Sequence, residues 1–230
     1  MARILRALDI STKLLTDYYL GLDRTAKPPA RDAPMPPHFQ CFTSGEITYK
    51  LTYTHRMLQE QPNKAVFVAS VEPPKEEGEP DFVVVKFTRS YCKDAHMLLA
   101  QESLAPDLRY CEMVESIGMY VVVMDFVFGD YPEAPFQNWG FTEKLRTAIQ
   151  TLHDKDFVHG DIREGNILVS EDGNVKVIDF DWCRKVGEAR YPSDINLDLP
   201  WHPDVARGGL IKKEHDQNMF LRLTGAEWET

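Results

Sequence analysis

The sequence predicts an α+β protein in which an antiparallel sheet with one helix is followed by a mainly helical part. Three observations predict this fold class. Alternating and β-branched segments recur between residues 47 and 124, with one helical stretch among them. From residue 141 onward, apolar residues take a helical spacing. The chain of 230 residues is 43% hydrophobic, which is enough to bury a substantial core.

The charge balance restricts the partners that we expect. The chain has 26 lysines and arginines against 36 acidic residues, a formal net charge of −10. Such a surface repels the phosphate backbone of nucleic acids and anionic lipid, so we expect neither a nucleic-acid nor a membrane partner. No apolar run reaches the ~18 residues of a membrane span. The four cysteines lie far apart, which is typical of reduced thiols and predicts a cytoplasmic or nuclear protein.

The N-terminal region is predicted to precede the main body as a separate segment. Apolar residues at helical spacing over residues 4–22 predict one amphipathic helix, or two short ones. The mixture of positive and negative charges favours packing against the main body over a helix that binds a partner or a membrane. Residues 27–37 carry five of the fifteen prolines, and no helix survives that density. We therefore predict a helical extension over residues 1–26, a proline-rich linker over 27–38 and ordered structure from about Phe39.

The first half of the main body is predicted to contain five strands and one helix. The strands are expected at residues 47–54, 64–71, 82–87, 108–114 and 119–124, where apolar and β-branched residues alternate or run together. A helix is expected at residues 91–103, ended by Pro106. The last two strands form a hairpin that turns at residues 116–118.

The second half begins with a predicted helix. One face of it carries Phe141, Leu145, Ile149 and Leu152, and it is expected from residue 142, with Thr142 as N-cap, to about residue 153. Two short strands at residues 167–169 and 175–178 and a helix at 216–223 complete the chain.

Two segments carry the chemistry: HGDIREGNILV at residues 159–169 and VKVIDFD at 175–181. Asp161 and Asn166 lie five positions apart on a loop after a helix, and Asp179 follows the second short strand. Phosphoryl transfer needs oxygen ligands for Mg²⁺ and another carboxylate that holds the attacking hydroxyl in line. We expect these three side chains to lie close together, because the segment folds as a helix, a loop and two short strands joined by a turn.

These segments resemble the catalytic loop and the metal-binding Asp-Phe-Gly segment of the protein-kinase-like superfamily. Gly160 stands where many protein kinases have arginine, and Asp181 stands in place of the glycine. In these segments, the chain most resembles small fungal kinase-like proteins with an HGD loop. The resemblance implies a two-lobed fold, with the N-lobe over residues 39–128, a reduced and mainly helical C-lobe over 129–230, and ATP between them.

The resemblance also implies roles for individual residues. Asp161 would be the catalytic carboxylate, Asn166 and Asp179 the Mg²⁺ ligands, and Arg163 a contact of the γ-phosphate. Lys86 would pair with the α- and β-phosphates of ATP. At the hinge between the lobes, the resemblance makes Met124 the gatekeeper, while the carbonyl of Asp125 and the N–H of Val127 would bond adenine. Asp216 would brace the catalytic loop, although the bare residue fits a surface N-cap equally well.

The chain departs from the family pattern in its N-lobe. The loop expected to clamp the phosphates, HRMLQEQPNK at residues 55–64, has no glycine, so Arg56 and Lys64 are candidates to substitute by charge. The helix after Lys86 should offer it a glutamate, but His96 holds that position, and Glu102 is the best remaining acid.

Two functions follow from these observations. The first is an ATP- and Mg²⁺-dependent phosphotransferase that acts on a hydroxyl of a protein or a small molecule. The alternative is a catalytically impaired pseudokinase that serves as a binding or scaffold module. The glycine-free loop, the missing helix glutamate and the short chain after Asp179 favour the alternative, whereas the complete set of Asp161, Asn166 and Asp179 favours the enzyme.

Overall fold

The computed structural model describes residues 2–21, 37–61, 64–132, 136, 139–170 and 173–228. The chain divides into a unit that ends at Met35 and a second that begins at Pro36. In the first unit, helix α1 spans Ala2–Gly21 as one helix, close to the predicted range. Nearly all of the predicted linker lies outside the described residues, and the packing of α1 stays a prediction. No described helix is both long enough and apolar enough to traverse a bilayer.

The second unit opens with a six-stranded antiparallel sheet, which confirms the predicted N-lobe. Its strands lie in the order β1-β2-β3-β4-β6-β5. They span Cys41–Ser44 (β1), Ile47–Met57 (β2), Ala65–Glu72 (β3), Phe82–Thr88 (β4), Leu108–Val114 (β5) and Met119–Asp125 (β6). β1 was not predicted: its four residues pair with β2 across a turn at Gly45, which has φ +62°. The predicted β5–β6 hairpin is confirmed, with Gly118 at φ +70°.

Strand β4 points its side chains alternately to the two faces of the sheet. Val83 and Val85 are fully buried in a cluster on one face, together with Val121 and Val123 of β6. Since residues two apart share a face of a strand, Lys86 lies on the same face as Val84, opposite that cluster. The core on that side continues into the second half of the chain. The strand pattern therefore directs Lys86 towards the space between the two halves.

Helix α2 (Lys93–Gln101) lies between β4 and β5 and belongs with the sheet to the N-lobe. The remaining described elements form the reduced C-lobe: α3 (Trp139–Asp154), β7 (Phe157–Val158), a 3₁₀ turn (Glu164–Asn166), β8 (Ile167–Val169), β9 (Val175–Val177), β10 (Arg184–Lys185) and α4 (Lys213–Thr224). β8 pairs with β9, and β7 pairs with β10. This two-lobed α+β architecture is the protein-kinase-like fold that the sequence predicts.

Helix α3 confirms one prediction and corrects another. The four residues of its predicted apolar face are buried in the core. The prediction that Thr142 caps the helix is wrong, because α3 begins at Trp139 and Thr142 lies buried inside it. Phe141 packs edge-on against Phe136 with ring centroids 4.5 Å apart, and this contact anchors the first turn ahead of Thr142.

Candidate active site

The loop between β7 and β8 brings Asp161, Arg163 and Asn166 together. Both Asp161 and Asn166 are buried. Asn166 Nδ2 donates to the backbone oxygen of Asp161 at 2.9 Å and to its Oδ2 at 2.7 Å. Arg163 Nε donates to Asp161 Oδ1 at 2.8 Å. Each carboxylate oxygen of Asp161 is therefore held by a different neighbour of the same loop.

The hydrogen bonds of Asn166 fix which way its amide points. Both partners of Nδ2 are acceptors, so this end of the amide must be the NH₂ group. The carbonyl oxygen Oδ1 is then the atom able to hold a cation. Asn166 lines the same cavity as Asp179. Because amide and carboxylate oxygens are the ligands that Mg²⁺ prefers, the donor chemistry of this pair fits that ion.

Asp216 is buried and holds the backbone of the loop that carries Asp161. This confirms the predicted bracing role of Asp216 and excludes the alternative of a surface N-cap. Its Oδ2 accepts from the backbone N–H of His159 at 2.9 Å, and its Oδ1 accepts from that of Gly160 at 2.8 Å. His153 Nε2 lies 3.1 Å from Oδ2. Burial alone would raise the pKa of Asp216, but these hydrogen bonds and the charges of the two histidines hold it below the usual range.

Gly160 adopts a backbone conformation that disfavours a residue with a side chain, such as the arginine found there in many protein kinases. Its φ is +81°, in the left-handed region, where a side chain is strained. A Cβ built on it would lie 2.6 Å from Ile211 Cδ1, so the space is already filled. Glycine at this position of the HGD loop therefore avoids both backbone strain and a close contact with the side chain of Ile211.

We expect Gly160→Ala to lower the free energy of unfolding by about 2 kcal/mol, from the strained φ and the contact with Ile211. Denaturant unfolding measures this. The matched control is Gly208→Ala, since Gly208 has φ +68° but nothing within 4 Å of its built Cβ. Gly208→Ala should cost about 1 kcal/mol, the strain alone. Equal losses in the two variants would contradict the role of Ile211.

Asp179 follows β9 and carries two ion pairs. Lys86 Nζ donates to Oδ1 at 2.5 Å and Lys64 Nζ donates to Oδ2 at 3.2 Å. Burial would raise the pKa of Asp179, but the two ammonium groups outweigh it and keep the pKa well below its usual range. The side chain is therefore a carboxylate, the form that a metal ligand requires.

The partner of Lys86 differs from the sequence prediction. Its Nζ also donates to Asp181 Oδ1 at 2.7 Å. Burial would lower the pKa of Lys86, but the charges of Asp179 and Asp181 outweigh it and raise the pKa. Glu102, the expected partner, is exposed at the end of α2, and that prediction is wrong.

His96 explains why helix α2 offers Lys86 no partner. It is fully buried, and its ring stacks on Phe180 with centroids 4.8 Å apart. Its Nδ1 lies 2.7 Å from the Tyr91 hydroxyl, and its Nε2 lies 2.8 Å from the Pro106 carbonyl oxygen. Burial lowers the pKa of His96 to about 4, so the ring is neutral. The residue joins α2 to the core and carries no charge at the site.

The glycine-free segment contributes Lys64 to the site. Besides its contact with Asp179, Lys64 accepts from Arg56 Nη2 at its backbone oxygen, at 3.0 Å. Of the two cations proposed to replace the glycines, Lys64 therefore reaches Asp179, and Arg56 holds the backbone of Lys64.

Two adjoining cavities meet at this cluster. The first, of about 330 Å³, has apolar walls that include Val66, Val84 and Met124, and it also contacts Lys86, Asn166 and Asp179. The second, of about 430 Å³, shares Lys64, Arg163 and Asp179 with the first and adds Asp161, Trp182 and Trp201. The first cavity thus combines apolar walls with charged groups, and Asp161 lines the second cavity.

The predicted hinge residues line the first cavity. Met124, Asp125 and Val127 all contact it. The carboxylate of Asp125 bonds Lys75 Nζ at 2.5 Å and also accepts from Arg109, which in turn pairs with Asp81. The Asp125 side chain is used in this network and its N–H donates to the Asp107 carbonyl oxygen at 2.9 Å, so the group through which Asp125 would accept a hydrogen bond from adenine is its own carbonyl.

Sequence reasoning missed two contributors to the site, Asp181 and Thr88. Thr88 Oγ1 donates to Asp181 Oδ2 at 3.0 Å. One signal for Asp181 was available in the sequence. An acidic residue stands directly after Asp179-Phe180, where the family has a glycine, and Lys86 lacked an acidic partner on helix α2.

A family model described as "Protein kinase domain" matches residues 83–203, just over half of the chain. Among curated proteins, the serine/threonine-protein kinase CLA4 of Eremothecium gossypii is 24% identical over 76% of this chain and 21% of its own length. The probable serine/threonine-protein kinase mkcF of Dictyostelium discoideum is 37% identical over 44% and 16%. PrkC of Bacillus subtilis, also a serine/threonine-protein kinase, is 30% identical over 46% and 18%. The matches span about a fifth or less of each relative's length.

Proposed function

This chain belongs to the protein kinase domain family, and we propose that it is an ATP- and Mg²⁺-dependent phosphotransferase acting on a hydroxyl group of a protein or a small molecule. The observation that carries the proposal is the set formed by Asp161, Asn166 and Asp179 at the junction of two cavities. A module that only binds a partner has no need for all three groups at one place.

Each polar side chain has a chemical part in this proposal. The first cavity would take the adenine against Val84 and Met124 and the phosphates towards Lys86 and Lys64. Asp161, open to the second cavity, would accept the proton of the attacking hydroxyl and hold it in line. Asn166 Oδ1 and the Asp179 carboxylate would hold Mg²⁺, which supplies charge neutralisation between the phosphates.

The cations neutralise the charge that develops during transfer. Lys86 is buried and Lys64 is partly buried, so both act where water screens them less than at the surface. Arg163 bonds Asp161 from the cavity side and would be close to the group in transfer. In the structure, Lys64 and Lys86 pair with Asp179, and Arg163 pairs with Asp161. The phosphates would bind next to these pairs.

One observation favours the scaffold alternative. Both oxygens of Asp179 already bond lysines, so a metal ion must compete with Lys86 and Lys64 for them. A site that stays closed by these ion pairs would bind a partner protein without transferring phosphate.

The deciding experiment measures transfer from ATP labelled at the γ-phosphate to panels of protein and small-molecule hydroxyl acceptors. For an enzyme we expect incorporation that falls by about 10²–10⁴-fold in Asp161→Asn, the usual contribution of a general base. Asp94→Asn, an exposed acid in the first turn of α2, is the matched control and should retain incorporation. Incorporation that is absent throughout, or that Asp161→Asn leaves unchanged, would contradict the proposal.

A further inference from the structure

We propose that Asp181 is the positioning residue for Lys86, orienting its ammonium group towards the nucleotide phosphates. This inference rests on the proposed function. It assigns to the segment after β9 a task that helix α2 does not perform in this chain.

A buried ammonium group needs an anionic partner, and Lys86 has two. Only about a tenth of its side chain is exposed. Its Nζ lies 2.5 Å from Asp179 Oδ1 and 2.7 Å from Asp181 Oδ1. Leaving such a charge without a partner would cost several kcal/mol, so these contacts decide where the side chain points.

Helix α2 supplies neither of these partners. Its buried positions are Ala95, His96 and Leu99, and none of them carries a negative charge. Both nitrogens of His96 are used by other groups. Asp94 and Glu102 are exposed and form no ion pair with Lys86 among the described residues.

Asp179 and Asp181 would have different roles when a nucleotide binds. Asp179 is the expected Mg²⁺ ligand, and coordination would draw its oxygens away from Lys86. Asp181 is held independently of any metal, because Thr88 Oγ1 donates to its Oδ2 at 3.0 Å and Ser90 Oγ donates to its backbone oxygen at 3.0 Å. Its Oδ1 can therefore keep Lys86 in place once Asp179 has turned to the metal.

The test compares ligands with and without phosphates. Calorimetry or a thermal shift assay gives dissociation constants for ATP with Mg²⁺ and for adenosine, on wild type and on Asp181→Asn. We expect the ratio of the ATP dissociation constant to the adenosine dissociation constant to rise about tenfold in Asp181→Asn, since in the proposed pose Lys86 would contact the phosphates and not the adenosine. Adenosine affinity should stay within about twofold, which general damage to the lobe would not allow.

Three further variants make the assignment specific. Thr88→Val should shift the ratio in the same direction but less, because it frees only one oxygen of Asp181. In a Lys86→Met background, Asp181→Asn should add no further shift, because the effect passes through Lys86. Glu102→Gln, which alters the acid that the sequence favoured, is the matched control and should leave the ratio unchanged.

The outcomes separate this inference from the proposed function. If wild type binds neither ATP nor adenosine, the proposed function fails and the inference fails with it. If wild type binds both and Asp181→Asn leaves the ratio unchanged, or shifts it in favour of ATP because a negative charge has left the phosphate site, only the inference is overturned. An equal shift in the Lys86→Met background would also overturn it.

Discussion

Replacing Asp216 by alanine is expected to lower the free energy of unfolding by about 3–5 kcal/mol. The carboxylate is 1% exposed and accepts the backbone N–H groups of His159 and Gly160. Without it, two buried donors and the facing His153 lose their partner, and unsatisfied buried polar groups are costly. The loop that carries Asp161 would lose its anchor to α4.

Urea unfolding measures this loss, with Glu214→Ala as the matched control. Glu214 lies in the same first turn of α4 but is exposed, so its removal should cost less than about 1 kcal/mol. Similar losses in the two variants would show that the Asp216 contacts contribute nothing beyond helix electrostatics.

The same contacts predict a pH dependence of the Asp216→Ala effect. Folding lowers the pKa of Asp216, so its contribution is fully present above the unfolded pKa of about 3.9. The contribution is lost as the pH falls through the lower pKa of the folded state. The stability difference between wild type and Asp216→Ala should therefore narrow as the pH falls below about 4. A difference that widens in acid would contradict the assignment.

Asp179→Asn is expected to abolish the stabilisation that ATP with Mg²⁺ gives to wild type. A ligand that binds only the folded state stabilises it by about 2.7 kcal/mol at a hundredfold excess over its dissociation constant. Asparagine keeps the shape of the side chain but removes the charge that holds a cation. It also suits the φ of +68° at this position, where alanine would add strain of its own.

Thermal melts test this with three additions: ATP with Mg²⁺, ATP with EDTA, and buffer alone. Wild type should melt higher only when metal and nucleotide are both present, and Asp179→Asn should melt alike in all three. The matched control is Asp154→Asn, an exposed acid at the end of α3 that lines neither cavity, and it should respond as wild type does. If Asp179→Asn still shows a metal-dependent rise in melting temperature, Asp179 is not a metal ligand.

Local sequence patterns were enough for most of the fold because its strands and helices bury one regular face. The run of valines in β4 and the apolar face of α3 are predicted within a few residues of their observed bounds. β1 has no such pattern: Cys41–Ser44 is short and mostly exposed, and it is a strand because β2 pairs with it. Pairing of this kind depends on tertiary context rather than on propensity.

The site shows the same division between local and distant information. Asp161, Arg163 and Asn166 lie within six positions of one another, so a single loop motif places all three. The partner of Lys86 could not be found in this way, since Asp181 is 95 positions away along the chain. A search of the nearest helix for an acid selects Glu102, and only the packing of His96 shows why that helix is unsuitable.

The separation of Lys86 from helix α2 changes where the protein could be switched on or off. Both anionic partners of Lys86 lie after β9, and the nine described residues of α2 provide none. A partner or modification that displaced α2 would therefore break no ion pair of Lys86. The segment that begins at Asp179 is tied to β4 by Thr88, so displacing it would separate Lys86 from both carboxylates at once. Helix α2 contacts that same segment through His96, whose ring stacks on Phe180 between the two carboxylates, so a change at α2 would reach Lys86 through that ring.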